Sequence, residues 1–206
     1  MRKGFKMLKV ISQAKDLDVL ALFRESEAIM EGHFELTSGY HSGIYMQCAA
    51  LLQYPDRAGV LARSAARMLE EEVGRDNIDT VVAPAMGGIL WGYLLAEKIG
   101  CRMIFTERKD GKMVLRRGFR LEKKEKIIIA EDVITTGGSV KEVISICEES
   151  KAQILAVAGI VDRNSGVDFG YPYLNMIKLE VEKYSPEDCD LCQKGIPMVY
   201  PGSRKK

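Results

Sequence analysis

The sequence predicts an α/β protein built on a mainly parallel, twisted β-sheet flanked by helices. Two observations support this prediction. First, short strands that are apolar along their whole length alternate with helical segments after Gly74. Such strands belong in a parallel sheet covered on both faces, and this alternation builds doubly wound domains. Second, 206 residues with 47% hydrophobic and 29% charged residues are enough for one domain with a sizeable core.

Hydrophobic spacing predicts where the individual elements lie. The segment 31–47 is polar and rich in turn residues, which predicts an irregular or hairpin region. The predicted helices are 17–30, one that starts at Pro55 and continues through Leu69, 89–99 and 139–150. The predicted strands are 80–83, 102–106, 126–130, 154–161 and 176–179. In open α/β sheets ligands bind beyond the carboxyl ends of the strands, so the chemistry is expected in the loops after Ala83, Phe105, Ala130 and Val161.

Charge and composition exclude several classes of partner. A formal net charge of +1 gives no global electrostatic reason to bind nucleic acid or an acidic membrane. No apolar run approaches the ~20 residues that a membrane span needs, and no apolar region follows the basic N-terminus as in a secretory signal. Five cysteines without a regular spacing indicate reduced thiols. We therefore expect a cytoplasmic protein with neither a membrane nor a nucleic-acid partner.

Residues 127–139, IIIAEDVITTGGS, give the strongest functional signal. A predicted buried strand ends in the acidic pair Glu131-Asp132, and hydroxyl residues and glycines then lead into a helix. Glycines let several backbone N–H groups converge, and the helix N-terminus adds partial positive charge, so the turn suits a phosphate. Carboxylates repel phosphate but accept hydrogen bonds from a vicinal diol. One phosphate and one ribose diol together predict a ribose 5-phosphate ligand.

Two simpler interpretations of this segment stay open. The Thr-Gly-Gly stretch could be a plain strand–helix turn, and Glu131-Asp132 could be charges at a helix N-terminus. The order of strand, acidic pair, hydroxyl–glycine loop and helix favours a binding site. A P-loop and a dinucleotide fingerprint do not fit, because no Gly-Lys-Ser/Thr follows and the glycine spacing differs.

The segment EDVITTGGS resembles the phosphoribosyl-pyrophosphate (PRPP) motif of type I phosphoribosyltransferases, and several segments within residues 17–203 resemble the orotate branch of that family. The resemblance implies the type I fold in a single domain, 1–206, whose residues 17–50 and C-terminal segment form a small hood over the base. It implies PRPP and orotate as substrates, Mg²⁺ held mainly by PRPP and water, and a homodimer. The implied PRPP-binding residues here are Glu131, Asp132, Thr135, Thr136, Gly137, Gly138 and Ser139.

The turn within residues 81–92, VVAPAMGGILWG, is a second candidate. In the resembled family this turn binds pyrophosphate through backbone amides, and small residues allow the close approach this needs. Many relatives carry a lysine in the turn, but this chain has none, so backbone donors or Mg²⁺ would take that role. A tight turn that only packs the following helix is the alternative. The residues implied are Ala85, Met86, Gly87 and Gly88.

The highly charged segment 106–119, TERKDGKMVLRRGF, lacks apolar periodicity. It resembles the mobile catalytic loop of orotate phosphoribosyltransferases, which reaches the neighbouring subunit's site. The resemblance implies Arg108, Lys109 and Lys112 as cations for pyrophosphate, with Lys112 the main catalytic cation, and Asp132 as a further catalytic residue. Relatives often have a histidine in this loop, and here only Met113 is nearby. A solvated charged hairpin is the alternative.

The resemblance also implies residues for the base. In the orotate branch an arginine after the strand that ends at Val161 contacts the base, which corresponds to Arg163, and a guanidinium can grip the orotate carboxylate or stack on its ring. A structural ion pair of Arg163 with Asp162 is the alternative. Thr135, Tyr45 and Met46 complete the implied orotate site.

Three further positions have open roles. Thr37 stands where some members carry a PRPP-contacting lysine, and His41 is either structural or a ligand contact. Cys189 and Cys192 form a lone C-x-x-C, for which zinc would require two more ligands, perhaps from a second chain. Because the resemblance implies no metal there, we expect an ordinary pair of thiols.

The sequence as a whole predicts an Mg²⁺-dependent enzyme of UMP synthesis that makes orotidine 5′-monophosphate and pyrophosphate from orotate and PRPP. One alternative is transfer to a purine base, against which the Tyr45/Arg163 pairing speaks. The other is a non-catalytic PRPP-binding regulator, which would not need the charged segment 106–119. A DNA regulator would usually carry a basic patch or a DNA-binding domain, and neither is evident.

Overall fold

The structure, a computed structural model, describes residues 9–36, 38–74, 77–163 and 166–201. Its strands are β1 (Lys9–Ser12), β2 (Ile29–Glu35), β3 (His41–Met46), β4 (Thr80–Pro84), β5 (Arg102–Lys109), β6 (Lys112–Leu115), β7 (Lys126–Ile134), β8 (Gln153–Asp162) and β9 (Tyr173–Glu180). Its helices are α1 (Val19–Glu25), α2 (Cys48–Leu52), α3 (Pro55–Val73), α4 (Gly87–Ile99), α5 (Gly138–Glu149) and α6 (Asp190–Gln193).

A seven-stranded sheet with the order β1-β9-β8-β7-β4-β5-β6 forms the centre of the molecule. The five strands from β9 to β5 are parallel, and the edge strands β1 and β6 pair antiparallel with their neighbours. Helices cover both faces, so the predicted α/β class with a mainly parallel sheet is confirmed. Strands β2 and β3 form a separate antiparallel hairpin sheet.

Alternate residues of β7 bury themselves on opposite faces of this sheet. Ile128 and Ala130 join the core that contains Trp91 of α4, whereas Ile127 and Ile129 join the core that contains Val143 of α5. All of these side chains are fully buried. β7 is apolar on both faces because helices cover the sheet on both sides. The sheet also determines the positions of the loops at its carboxyl edge.

The first predicted helix is wrong in its C-terminal part. α1 ends at Glu25, and Glu27 has a φ of 51°, which is incompatible with a continuing helix. The N–H of Ala28 donates to the carbonyl of Phe23 at 2.8 Å, and Ile29 then begins β2 by pairing with Met46. Pairing across the hairpin overrides the partial helical stripe of the sequence.

Several strands are longer than predicted, and the extensions of β7 and β5 change the interpretation of the site. β7 was expected to end at Ala130, but its pairing with β8 continues to Ile134, so the acidic pair lies inside the strand. β5 was expected to end at Thr106, but it continues to Lys109 and turns into β6. The charged segment, expected to be a mobile catalytic loop with a solvated charged hairpin as the alternative, is a β-hairpin in this structure, and its Met113 is buried against the core that contains Val143.

The N-terminal region contributes an edge strand that weak periodicity did not predict. β1 pairs antiparallel with β9, from Lys9 opposite Glu180 to Ser12 opposite Ile177. Residues 1–8, and Thr37 with its expected role, lie outside the described residues. Within the described residues, no helix has both the length and the apolar character to cross a bilayer.

Candidate active site

A small cavity lies where β7 runs into α5, at the carboxyl edge of the sheet. Its volume is about 60 Å³. The lining residues come from one continuous stretch and comprise Glu131, Val133, Ile134, Thr135, Thr136, Gly137, Gly138, Ser139 and Val140. The sequence therefore brings one buried carboxyl group and the glycine-rich turn to the same concave surface.

Backbone geometry gives this turn its shape. Gly137 caps the N-terminus of α5 with a φ of 73°, in the left-handed region. A Cβ there would lie 2.9 Å from the ring of Phe169, so both the conformation and the space require glycine. The first N–H groups of α5 have no partner within the helix. Together with the hydroxyls of Thr135 and Thr136, these amides can hold an anion.

The acidic pair behind the turn is strongly coupled. Glu131 is buried, and its burial, together with the neighbouring charge of Asp132, raises the pKa of its carboxyl group to about 9. The N–H of Asp132 donates to Glu131 Oε1 at 3.2 Å, and the N–H of Val133 donates to Asp132 Oδ1 at 2.9 Å. At neutral pH the ligand-free site therefore holds a proton on Glu131.

Asp132 also lies against the start of α4, the segment that follows β4. A Cβ added to Gly87 would lie 2.5 and 2.6 Å from the two carboxylate oxygens of Asp132, and one added to Gly88 would lie 3.1 Å from the carbonyl oxygen of Ala130. The structure thus brings the predicted turn 85–88 into contact with the acidic pair. The peptide bond between Ala85 and Met86 is cis, and Met86 is 84% exposed.

A cation from the end of β8 lies beside an aromatic residue of β3. The N–H of Arg163 donates to the carbonyl of Ile134 at 2.9 Å, which ties the arginine to the end of β7. Burial lowers the pKa of the Arg163 guanidinium, and the nearby Tyr45 opposes this shift. The structure therefore places the two residues close together. Within the described parts of the chain, Arg163 forms no ion pair, so the expected alternative of a structural pair with Asp162 is not found.

Met46, another candidate for the base site, and Phe34, which packs against Tyr45, both belong to the β2–β3 hairpin. Tyr45 packs against Phe34 of β2 with ring centroids 5.7 Å apart. Met46 is half-buried against the core on the α3 and α4 side of the sheet. The hairpin is thus anchored at Met46, and Tyr45 lies near enough to Arg163 to affect the pKa of its guanidinium.

The three predicted cations lie on the β5–β6 hairpin and are not brought to the acidic pair within one chain. Arg108 forms an ion pair with Glu142 of α5, at 2.6 and 3.0 Å, and donates to the carbonyl of Gly111 at 2.9 Å. Lys109 and Lys112 are exposed, and neither side chain has a hydrogen bond or ion pair among the described residues. Both lysines are therefore available to an anion from outside the chain.

Some contacts could not be read from the sequence. The approach of Gly87 to Asp132 and the pairing of Arg108 with Glu142 join residues 45 and 34 positions apart, and no local pattern signals either one. His41 lies not at the cavity but in a buried contact with His33, a residue that the sequence did not single out. Residues on facing strands of a hairpin meet in this way once the register is known.

A larger concavity lies at the opposite edge of the sheet, beside the amino ends of the strands. Its volume is about 770 Å³, and its charged walls include Arg102 and Glu125. These two side chains form an ion pair at 2.7 Å, and Glu125 also accepts a hydrogen bond from Thr80. Arg102 and Glu125 thus satisfy each other within the protein, whereas ligands of open α/β sheets bind at the carboxyl edge.

Comparison with known proteins agrees with this geometry. A family model described as "Phosphoribosyl transferase domain" matches residues 48–190. A protein of Caldicellulosiruptor bescii named orotate phosphoribosyltransferase is 50% identical over 188 residues, which cover 91% of this chain and 97% of the relative. A protein of Thermotoga maritima with the same name is 46% identical over 184 residues, 89% of this chain and 96% of the relative.

These matches define the class of the protein, which is a phosphoribosyltransferase. The chain belongs to the phosphoribosyltransferase family, in the branch whose members are named orotate phosphoribosyltransferase. Solved structures show the same fold. Orotate phosphoribosyltransferase from Aeropyrum pernix matches with a TM-score of 0.59 at 22% identity, covering 77% of this chain and 92% of that one. Adenine phosphoribosyltransferase from Saccharomyces cerevisiae matches with 0.62 at 18%, covering 76% and 99%.

Proposed function

We propose that the protein transfers the phosphoribosyl group of PRPP to orotate and forms orotidine 5′-monophosphate and pyrophosphate, in the synthesis of UMP. The observation that carries the proposal is the cavity at the N-terminus of α5, which is lined by the buried carboxyl group of Glu131 and by the glycine-rich turn, with the half-buried Asp132 next to Glu131. The names of relatives that share 46–50% of their residues over about nine-tenths of this chain support orotate as the base.

The ribose 5-phosphate part of PRPP fits this cavity in one orientation. Its 5′-phosphate would bind the amides and hydroxyls of residues 135–139, where the helix terminus favours negative charge. Its ribose diol would face Glu131 and Asp132, because carboxyl oxygens accept hydrogen bonds from hydroxyl groups. Anchoring both ends fixes the anomeric carbon relative to the incoming base, which lowers the entropic part of the barrier.

Pyrophosphate would leave past the turn formed by residues 85–88. The turn lies directly against Asp132, so the leaving group and the ribose diol share one wall of the site. Charge grows on pyrophosphate in the transition state, and fixed positive groups stabilise that charge. Arg108, Lys109 and Lys112 are the proposed groups, supplied by the β5–β6 hairpin of a second subunit.

Mg²⁺ is the metal that the family implies, and the site fits it. Asp132 would lie beside the proposed pyrophosphate and ribose positions, and Mg²⁺ prefers one or two carboxylates together with phosphate oxygens and water. Glu131 would add a second carboxylate only if it lost its proton when the ion and PRPP bind. Oxygens of PRPP and water would supply most of the ligands of the ion. When bound, it would neutralise charge on the leaving group.

Orotate would lie between the hairpin and the end of β8. The guanidinium of Arg163 is unpaired among the described residues and half-buried, so a carboxylate ligand would satisfy it. Tyr45 and Met46 offer apolar surface to the ring, and Thr135 offers a hydroxyl. Residues 17–50 and the C-terminal segment would then form the hood of a single domain. Orotate is already anionic, so no strong base is needed to activate it.

A homodimer follows from the same proposal. The exposed apolar residues Met86, Leu90 and Tyr93 recur along one stripe of α4, and Tyr93 is 65% exposed. An apolar stripe beside the active-site turn suits a second copy of the chain. That copy would place its β5–β6 hairpin over the first site, exclude water and suppress hydrolysis of PRPP. We place the enzyme in the cytoplasm, where free PRPP would be available.

Base specificity tests the proposal directly. Purified protein is mixed with PRPP, Mg²⁺ and one free base at a time, and loss of base and release of pyrophosphate are followed. We expect turnover with orotate and none with adenine or hypoxanthine. Turnover with a purine but not with orotate would show that the base is a purine. PRPP binding without turnover on any base would indicate a non-catalytic regulator.

Replacing Lys112 tests the proposed cation. Lys112→Ala should lower kcat for transfer to orotate by roughly 100-fold, because a cation that stabilises the leaving group acts mainly in the transition state. The melting temperature should not change, since the side chain is exposed and unpaired among the described residues.

Lys123→Ala is the matched control, because Lys123 lines the concavity at the opposite edge of the sheet. Its kcat should equal that of the unaltered protein. A Lys112→Ala enzyme with unchanged kcat would remove this lysine from the mechanism. Mixing Lys112→Ala with an inactive Asp132→Asn chain should restore part of the activity if the lysine serves the neighbouring site.

A further inference from the structure

Four side chains with metal-binding atoms meet under the C-terminal segment, away from the cavity described above. They are His33 of β2, His41 of β3, Cys189 at the N-cap of α6 and Cys192 within it. One nitrogen or sulfur atom from each lies within 4.8 Å of all the others. His33, His41 and Cys189 are buried, and Cys192 is exposed. The two additional ligands that a zinc site would require thus come from the same chain.

The spacing of these atoms matches a tetrahedron around one ion. With Zn–S bonds of about 2.3 Å and Zn–N bonds of about 2.05 Å, tetrahedral edges are about 3.4 Å between nitrogens and about 3.6 Å between nitrogen and sulfur. His33 Nε2 lies 3.1 Å from His41 Nδ1 and 3.6 and 3.7 Å from the sulfurs of Cys189 and Cys192. Cys192 Sγ lies 3.3 Å from His41 Nδ1. These four edges agree with the tetrahedral values within about 0.3 Å, and the two remaining pairs of atoms lie within 4.8 Å.

The other ring nitrogen of His33 is already oriented as a zinc ligand requires. Its Nδ1 lies 2.8 Å from the carbonyl oxygen of Ile196, which can only accept, so Nδ1 carries the proton. Nε2 then presents its lone pair to the cluster. Metal-bound histidines almost always donate their second N–H in this way, which fixes the ring and its tautomer.

Without an ion, the same atoms would have to pair by hydrogen bonds. His41 Nδ1–H would donate to His33 Nε2, and the Cys192 thiol would lie close to both rings. A thiol is a weak donor and a weak acceptor, so two of them satisfy a buried imidazole pair poorly. A shared cation satisfies all four atoms at once.

We propose that His33, His41, Cys189 and Cys192 form a structural Zn²⁺ site. Binding forms two Zn–S and two Zn–N bonds and releases the two thiol protons, and the complex of two thiolates, two neutral imidazoles and Zn²⁺ carries no net charge. Neutrality suits a largely buried site. Four protein ligands leave no open position, so the ion would have no catalytic role.

The site would fasten the C-terminal segment to the β2–β3 hairpin. Backbone bridges flank the cluster on both sides: His41 exchanges hydrogen bonds with Tyr184 at 2.9 Å, and the N–H of Val199 donates to the carbonyl of His33 at 2.8 Å. β3 carries Tyr45 four residues beyond His41. Zinc would thereby hold the strand that presents Tyr45, whether or not the proposed activity is correct.

Metal content tests the site. The protein is expressed with zinc in the medium, purified under reducing conditions without chelator, and analysed by plasma mass spectrometry. We expect about one zinc per chain in the unaltered protein, consistent with one tetrahedral ligand set. Cys192→Ser and His33→Ala should lose most of it. Cys101→Ser is the matched control, because Cys101 lies outside the cluster, and it should retain the full content.

Two spectroscopic measurements distinguish a metal site from a hydrogen-bonded cluster, and both work even where a variant folds poorly. Co²⁺ exchanged into the unaltered protein should give tetrahedral ligand-field bands and a thiolate charge-transfer band. His33 and His41 are the only histidines of the chain, so nitrogen NMR reads them without overlap. With zinc, His41 should carry its proton on Nε2; a hydrogen-bonded pair requires it on Nδ1.

The zinc experiments can succeed or fail independently of the assay for transfer to orotate. Zinc near one per chain with the Nε2–H tautomer of His41 supports the site even if orotate is not the substrate. A chain that takes up no zinc or cobalt under reducing conditions, with the proton on His41 Nδ1, overturns it. Chelation should lower the melting temperature of the unaltered protein and leave that of Cys192→Ser unchanged; equal behaviour of the two would also overturn it.

Discussion

Gly87→Ala should lower kcat/KM for phosphoribosyl transfer by about 100-fold or more without unfolding the protein. The added Cβ would lie 2.5 Å from one carboxylate oxygen of Asp132 and 2.6 Å from the other, closer than any real contact of this kind. Either Asp132 or the first turn of α4 must move. A displacement of about 1 Å at a reacting group is enough to cost this factor.

The fold should tolerate this change because its strain is confined to the carboxyl edge of the sheet. The apolar residues of β4 and β7 lie in cores that the substitution does not touch. Circular dichroism and thermal melting measure the fold, and a coupled pyrophosphate assay measures activity. We expect a melting temperature within a few degrees of the unaltered protein, which corresponds to about 1 kcal/mol.

Gly59→Ala is the matched control for this prediction. Gly59 is also a helical glycine, within α3, but a Cβ there meets no atom within 4 Å. Activity should be unchanged and stability equal or greater by up to about 1 kcal/mol, since alanine favours the helix. Full activity of Gly87→Ala would show that the position of Asp132 does not matter for transfer.

Much of the fold was predictable because it depends on local pattern. The central strand β7 is apolar on both faces, and that pattern alone indicates a strand in a covered parallel sheet. Its true end was not predictable. Glu131 and Asp132 look like the start of a loop, yet pairing with β8 keeps them in the strand through Ile134. Strand ends are set by a neighbour that the local sequence does not contain.

The candidate site also has parts that the local sequence predicts and parts that it does not. The turn 135–139 was found because its residues are contiguous and their chemistry is local. The contact of Asp132 with Gly87 was not found, since the two residues meet only after the sheet has formed. Tyr45 and Arg163 were assigned to one site by the family resemblance and not by any local pattern. The Cys189/Cys192 pair was expected to be ordinary because the resemblance implies no metal there, and no local pattern signals that His33 and His41, about 150 residues earlier, lie next to it.

Glu131→Gln should make the ligand-free protein more stable and the enzyme slower. Burial and the adjacent Asp132 raise the pKa of the Glu131 carboxyl from 4.5 to about 9, so the native chain keeps this proton at neutral pH. Glutamine has the shape of the protonated acid and never ionises. The proposed ribose contact, however, uses carboxyl oxygens as acceptors, and an amide replaces one of them with a donor. Transfer should therefore fall by about 10-fold or more.

The stability change should depend on pH in a defined direction. Between about pH 4.5 and about pH 9 the native chain binds one more proton than the unfolded chain, so the free energy of unfolding falls as pH rises. The slope is at most about 1.4 kcal/mol per pH unit and vanishes above about pH 9. Glu131→Gln removes this contribution. Its advantage over the unaltered protein should grow from pH 6 to pH 8 and reach about 2–3 kcal/mol, because the buried amide still lacks some hydrogen bonds.

Urea unfolding at pH 6, 7 and 8 measures this difference, with Glu149→Gln as the matched control at an exposed position of α5. The control should show no comparable growth of stability with pH. If the stability difference between Glu131→Gln and the unaltered protein does not grow from pH 6 to pH 8, Glu131 is ionised in the native state. The acidic pair would then hold its two charges before PRPP arrives. If the stability gain and the loss of transfer appear together, the enzyme keeps a destabilising carboxyl group beside the ribose position because the reaction requires it.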